Sequence, residues 1–123
     1  EKYQDKIKLD LIPNQTDSKS YSQKLQEIKE YATQYDLEFD GEYMYAYRDH
    51  DQWGKGVFNK TTFYEPGKYY RDWKCDLVPS HDNSYGLGIF PTGNVKVRVK
   101  VDDWGVAVNR GDKKARVWGF EIM

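Results

Sequence analysis

Residues 94–101 show the clearest alternation of apolar and charged positions in the chain. Valine occupies every second position, and the positions between carry Lys96, Arg98 and Lys100. Alternation with a period of two is typical of a half-buried strand, and valine favours strands. We therefore predict a strand that forms the spine of an antiparallel sheet, with a row of three cations on its outer face.

A helical pattern precedes this strand. Ser20, followed by Gln23 three residues later, forms a capping-box pattern. The apolar positions behind it step by four and three, which is one stripe of an amphipathic helix. The stripe consists of Tyr21, Leu25, Ile28, Ala32 and Tyr35. The pattern predicts a helix from about Tyr21 to Tyr35, laid over the sheet, and a first strand over residues 6–12.

The pattern over residues 42–48 predicts a second strand in which both faces can be buried. One face carries Met44 and Ala46, and the other carries three tyrosines. We predict a central strand with the tyrosines in the core rather than exposed as a stacking platform, because aromatic cross-strand pairs commonly stabilise sheets. The tyrosines are Tyr43, Tyr45 and Tyr47.

The remaining pattern predicts further short strands separated by turns. Glu65-Pro66-Gly67 fits a type II turn, which favours Pro followed by Gly. The later strands are predicted over residues 57–58, 62–64, 68–73, 87–90, 106–108 and 115–122. The fold class is α+β: a curved, mainly antiparallel sheet of about seven strands with one N-terminal amphipathic helix packed on it. We predict a single domain over 1–123, with a strand–helix part at 1–37 and a β-rich part at 38–123.

Composition narrows the classes of function. Aromatic residues make up 16% of the 123 residues, and the net charge is −1. Nucleic-acid-binding domains usually carry a basic excess, which this chain lacks overall. No apolar run approaches a membrane span, so no membrane partner is expected. The single Cys75 excludes an internal disulfide framework, and no signal peptide is visible. We predict a cytoplasmic protein, and a secreted mature form stays open.

The residues that could carry chemistry form no diagnostic motif. His50, Cys75 and His81 have the side chains of a zinc site but not its spacing, so we predict no metal. Cys75 with either histidine could form a nucleophilic pair, although a lone cysteine is more often a small buried apolar residue. No glycine-rich phosphate loop is present. We expect no cofactor on these grounds.

From Tyr43 onward the chain resembles small domains of unknown function that are common in phage and bacterial proteins. In those domains a Tyr-Glu-x-Gly-Lys turn precedes a cysteine and a Gly-Leu-His or Gly-Phe-His element. The resemblance covers about two thirds of the chain. The matching segments are Phe63-Tyr64-Glu65-Pro66-Gly67-Lys68-Tyr69, Cys75, Gly86-Leu87-Gly88, the strand that begins at Val95, and Asp112-Lys113-Lys114-Ala115.

That layout is loosely similar to a pared-down ADP-ribosyltransferase. The resemblance implies NAD in a cleft, with Arg48 near the first motif and Glu121 as the carboxylate that positions the nucleophile. Gly88 stands where the family has its histidine, so one ligand-positioning side chain is missing. NAD is a cofactor of this chain only under that interpretation.

Our leading hypothesis is a non-enzymatic, protein-binding domain, such as a phage or mobile-element accessory protein that acts on a host protein. Tyrosine and tryptophan are enriched at interface hot spots, the charge is balanced, and no catalytic constellation stands out. Two alternatives stay open: an ADP-ribosyltransferase-like or degenerate NAD-binding domain, and single-stranded nucleic-acid binding through Lys96, Arg98 and Lys100. Whether the chain is an enzyme is left open. The candidate protein-binding residues are Tyr43, Tyr45, Tyr47, Trp53, Tyr69, Tyr70 and Trp73.

Overall fold

A computed structural model describes residues 17–52, 55, 63–81, 85–108 and 111–123. The strands predicted over residues 6–12 and 57–58 and the candidate Trp53 lie outside the described residues. Within the described residues the fold is α+β, with one α-helix and two antiparallel sheets. None of the described helices is long and apolar enough to cross a membrane.

The helix α1 (Tyr21–Gln34) agrees with the predicted helix to within one residue. The Ser20 side chain accepts a hydrogen bond from the Gln23 N–H at 3.1 Å, as the capping pattern predicts. Lys24 donates to the Asp102 carbonyl at 2.7 Å, and Glu27 accepts from the Trp104 indole at 3.1 Å. These two bonds tie α1 to the segment that follows the valine-rich strand. The helix residues in the main hydrophobic core are Ile28, Tyr31 and Ala32.

Seven strands are described, and they form two sheets where the sequence predicted one. The four-stranded sheet has the order β1-β4-β7-β2, and the three-stranded sheet has the order β3-β6-β5. The strands are β1 (Tyr43–Arg48), β2 (Tyr69–Arg71), β3 (Leu87–Ile89), β4 (Val95–Lys100), β5 (Trp104–Ala107), β6 (Ala115–Val117) and β7 (Gly119–Ile122).

The chain passes from one sheet to the other at two points that the sequence pattern does not mark as such. A 3₁₀ turn at Val101–Asp103 separates β4 from β5. Trp118 separates β6 from β7, so the strand predicted over residues 115–122 is two strands in different sheets. The Trp118 N–H donates to the Asp103 carbonyl at 2.7 Å, which joins the two crossing points. The single-sheet prediction fails at these two points, because the 3₁₀ turn and Trp118 interrupt the strands there.

The predicted spine is confirmed, since β4 lies between β1 and β7 in the four-stranded sheet. The prediction that residues 42–48 form a central strand is wrong, because β1 lies at the edge of that sheet. Irregular backbone covers this edge instead. The Tyr45 N–H donates to the Glu38 carbonyl at 2.9 Å, and Tyr47 exchanges two backbone hydrogen bonds of 2.9 Å with Phe90. The outer backbone groups of β1 are thereby satisfied without another regular strand.

Candidate functional site

The register between β1 and β4 brings two rows of side chains together on the solvent side of the sheet. Residues directly opposite each other in an antiparallel pair share one face. Each tyrosine of β1 lies opposite a cation of β4: Tyr43 opposite Lys100, Tyr45 opposite Arg98, and Tyr47 opposite Lys96. We call this surface the tyrosine–cation face, and it consists of Tyr43, Tyr45, Tyr47, Lys96, Arg98 and Lys100.

The prediction that the tyrosine row belongs to the core is wrong. Met44 and Ala46 are 0% exposed, whereas the three tyrosines are only half-buried. Met44 and Ala46 lie opposite Val99 and Val97, so the purely apolar side of β1 meets the purely apolar side of β4. The tyrosines are left on the other side, where a polar hydroxyl group is compatible with partial exposure.

The two rows are in close contact. The Val101 N–H donates to the Glu42 carbonyl at 3.3 Å, which makes the neighbouring tyrosine–cation pairs the non-hydrogen-bonded positions of the ladder. Side chains approach each other more closely at such positions. The Arg98 guanidinium lies 4.1 Å from the centroid of the Tyr43 ring, and the Lys96 ammonium lies 5.2 Å from that of Tyr45. Cation–π attraction therefore holds both rows in place.

The three cations differ in how their charge is balanced. Arg98 Nε donates a hydrogen bond to Glu121 Oε1 at 2.8 Å, and Arg98 Nη2 forms an ion-pair contact of 2.7 Å with the same oxygen. This contact with the carboxylate raises the pKa of Arg98. Lys96 and Lys100 are exposed and form no ion pair within the described part of the chain. The face therefore carries two unneutralised positive charges with a neutralised pair between them.

Asp40 fixes the outer side of the tyrosine row. Its carboxylate accepts the backbone N–H groups of Tyr43 and Glu42 at 2.8 and 2.9 Å, and the Tyr45 hydroxyl at 3.0 Å. These hydrogen bonds, with the Tyr43 N–H first, lower the pKa of Asp40. Asp40 is thus ionised at neutral pH and orients the Tyr45 ring.

A pocket of about 400 Å³ opens on this same side of the sheet. Glu121 lies opposite both Arg98 and Tyr69, so one row of side chains runs from Tyr45 across the sheet to β2. The pocket extends from this row towards the 3₁₀ turn. Its lining residues are Tyr43, Tyr69, Arg98, Lys100, Asp102, Asp103 and Glu121.

Tyr69 forms one wall of the pocket. Its hydroxyl donates to Asp103 Oδ2 at 2.8 Å, while Arg71 donates to Asp103 Oδ1 at 2.8 Å. Gly119 lets the ring lie across β7, because a Cβ atom there would be 2.6 Å from the Tyr69 hydroxyl oxygen. Both oxygens of Asp103 are therefore engaged within the wall.

Tyr70 and Trp73, the remaining predicted protein-binding residues that the structure describes, do not belong to this surface. Tyr70 packs against the core, and its hydroxyl accepts the Glu65 N–H at 2.8 Å, so its role is structural. Trp73 is 72% exposed and has the Lys74 ammonium 4.5 Å from its ring. Asp102 and Asp103 line the pocket but are not among the site residues that the sequence predicts. The available signal was their position directly after the cation row, which places them at its end.

Arg48 and Glu121, the pair implied by the ADP-ribosyltransferase resemblance, lie on opposite faces of the four-stranded sheet. Arg48 shares a face with Met44 and Ala46, on the core side. It donates to the Gly88 carbonyl at 2.6 Å and to His50 Nε2 at 3.0 Å, and burial lowers its pKa. The structure does not bring the two candidates into one cleft. NAD binding stays a prediction that nothing here supports further.

His50 gives the stability of the protein a pH dependence with a definite sign. Its pKa is lowered from the ordinary value of 6.5 by burial and by the neighbouring Arg48 cation. The unfolded chain therefore takes up a proton before the folded protein does as the pH falls. We expect the free energy of unfolding to decrease below about pH 6.5. Replacing His50→Gln should reduce this decrease when urea unfolding is compared at about pH 7.5 and about pH 5. An unchanged decrease in the variant would assign it to other groups.

Cys75 is buried, and its environment does not favour nucleophilic chemistry. Burial raises the pKa of the thiol to about 12, so the thiolate is scarce at neutral pH. His81 is directed elsewhere, with its Nδ1 atom 2.6 Å from Asp76 Oδ2. Among the described residues no group of three His, Cys, Asp or Glu side chains is placed to hold a metal ion.

Comparison of the chain with known protein families, with curated proteins and with solved structures finds no match. The resemblance to phage and bacterial domains therefore stays a prediction. What the site offers is a pre-formed face of tyrosines and cations that adjoins a pocket with charges of both signs.

Proposed function

We propose that this chain is a protein-binding domain whose contact surface is the tyrosine–cation face. The observation that carries the proposal is the register of β1 and β4, which puts three tyrosines beside three cations on the solvent side. Tyrosine and arginine are the residue types, with tryptophan, that dominate interface hot spots. A tyrosine supplies a large contact area while only two side-chain torsions have to be fixed.

The face is organised before any partner arrives. Asp40 holds Tyr45, Glu121 holds Arg98, and Arg98 stacks on Tyr43. Ordering rotamer-rich side chains at an interface costs about 0.5–1.5 kcal/mol each. Side chains already held by intramolecular contacts avoid part of this cost, which favours binding.

The partner is expected to dock on the side chains rather than to add a strand at β1. The N–H groups of Tyr45 and Tyr47 are already bonded to Glu38 and Phe90. Strand addition needs unpaired edge groups, which β1 does not offer at these positions. The resemblance of the chain to phage and bacterial domains supports a phage or mobile-element accessory protein, with a host protein as the partner.

Single-stranded nucleic acid is the second candidate, because the face combines cations and aromatic rings on one sheet surface. Two features make it the weaker candidate. The Arg98 guanidinium already covers Tyr43, which leaves less ring surface for a base. Carboxylates also adjoin the cations and repel phosphate; they are Asp40, Asp102, Asp103 and Glu121.

Site-specific photo-cross-linking in the source organism tests the proposal. We replace Tyr45 by p-benzoylphenylalanine, and as a control Tyr21, which is 52% exposed and lies on α1 rather than on the strands of the face. We expect a discrete cross-linked protein product from position 45 and none from position 21. Adding Lys96→Glu to the position 45 probe should reduce the product at least about threefold, because this change reverses the unneutralised charge of the face that lies outside the pocket.

The same products separate the two candidate functions. A product that protease digests and nuclease leaves intact supports protein binding, whereas a nuclease-sensitive product supports the nucleic-acid candidate. Equal products from positions 45 and 21, or a product that the Lys96 charge reversal leaves unchanged, would contradict a role for the tyrosine–cation face.

A further inference from the structure

We propose that the pocket beside the tyrosine–cation face takes a basic side chain of the protein partner, with arginine preferred over lysine. The inference rests on the proposed function and names the chemistry of the partner's anchor residue. The pocket has a volume of about 400 Å³, which lies in the range typical of small ligand sites. Buried arginine anchors are among the commonest hot-spot residues of protein interfaces.

Most of the charges that line the pocket are already paired. Three carboxylates and two cations line it, and after pairing only the Asp102 carboxylate and the Lys100 ammonium remain unneutralised. Arg98 is paired with Glu121. Asp103 is paired with Arg71 and accepts a hydrogen bond from the Tyr69 hydroxyl. Each group that is already paired contributes little to attracting a guest.

Two acceptors remain for a guest. Arg98 bonds only to Oε1 of Glu121, and no described residue donates to Oε2. The Asp102 carboxylate is exposed, and its side chain forms no hydrogen bond or ion pair with any described residue. A planar guanidinium can donate to two carboxylates at once, which an ammonium does less well.

The aromatic walls add a second, independent preference for a cation. Tyr43 and Tyr69 both line the pocket, and Tyr69 is 53% exposed. The protein already shows the arrangement with its own arginine, because Arg98 lies 4.1 Å from the Tyr43 centroid while it bonds to Glu121. A guest guanidinium would repeat it with the free oxygen of Glu121 and the ring of Tyr69.

The charge of Lys100 allows the inference to be tested by the direction in which the affinity changes. Lys100 is an exposed cation of the pocket lining, so it opposes a basic guest and would attract an acidic one. Asp102, two residues further along, has the opposite effects. Removing each charge in turn should therefore change affinity in opposite directions, and the directions reveal the charge of the guest.

The experiment titrates the full chain with capped amino acids and follows backbone amide shifts of the pocket residues by NMR. The probes are N-acetyl-arginine methylamide, its neutral near-isostere N-acetyl-citrulline methylamide, and N-acetyl-glutamate methylamide. We expect the arginine probe to bind most tightly. Asp102→Asn should weaken it about two- to fivefold, and Lys100→Gln should strengthen it about twofold, as for partly exposed charge pairs.

Several outcomes would overturn the inference. Citrulline binding as tightly as arginine would show that charge is not recognised, and tighter binding of glutamate would reverse the charge of the guest. Absence of shifts with any probe would remove the pocket as an anchor site. If any of these NMR results were obtained while the position 45 probe still gave its cross-linked product, the pocket inference alone would be wrong. If the position 45 probe gave no cross-linked product, the proposed function would be wrong as well.

Discussion

Replacing Arg116 by methionine is expected to lower the free energy of unfolding by about 3–5 kcal/mol. Arg116 lies in β6 and is only 1% exposed. Its guanidinium donates to the carbonyl groups of Asp76, His81 and Val78, with distances of 2.7 and 2.8 Å for the first two. Methionine keeps the length of the stem but leaves all three carbonyl groups without this donor.

The expected loss is large because Arg116 and its contact with the Asp76 carbonyl group are buried, and its contacts with the His81 and Val78 carbonyl groups are partly buried. An acceptor left unsatisfied in such a place costs about 1–3 kcal/mol. Arg98→Met is the matched control, since Arg98 is partly exposed and solvent screens its pair with Glu121, so the loss should be clearly smaller. Urea unfolding followed by circular dichroism measures both. Similar losses in the two variants would show that Arg116 does not hold the 76–81 segment in place.

The Arg116 variant also bears on the site. Arg116 belongs to the three-stranded sheet, whereas the tyrosine–cation face lies on the four-stranded sheet. At a temperature where the variant is still folded, the face should keep its cross-linking pattern. Stability and recognition are therefore expected to separate in this variant.

The sequence predicted best where one face of an element is wholly apolar. The valine ladder predicted β4 and its place inside the sheet, because only one side of that strand can be buried. The helix was predicted from its capping pattern and from the apolar stripe along one of its faces. The position of the tyrosine row could not be predicted in this way, because tyrosine is compatible both with a core and with a hydrated surface. What decided its position was the better apolar match of Met44 and Ala46 with the valines of β4.

The site itself was out of reach of sequence reasoning for a different reason. Its two rows lie about fifty residues apart in the chain, and each row was visible by its own alternation. Register between distant strands is a property of the folded chain, and local patterns do not contain it. The pairing of Tyr43 with Lys100, and with it the whole face, follows only once that register is known.

The second large effect is expected from Gly105→Ala in β5. A Cβ atom at this position would lie 2.3 Å from the Arg116 carbonyl oxygen and 2.8 Å from Cys75 Sγ. Backbone of a paired strand cannot move aside as the end of a flexible side chain can. The register of β5 against β6 already shifts between Trp104 and Val106, so Gly105 sits at an irregularity that depends on close approach. Overpacking of this kind costs about 3 kcal/mol.

Gly111→Ala is the matched control, because a Cβ atom there would meet nothing within 4 Å. Replacing a glycine by alanine at an unstrained position also reduces the freedom of the unfolded chain, which stabilises by about 0.4–1 kcal/mol. The two variants should therefore shift the urea midpoint in opposite directions, down for Gly105→Ala and slightly up for Gly111→Ala. A Gly105 variant as stable as the unsubstituted protein would mean that β5 and β6 do not approach as closely as described.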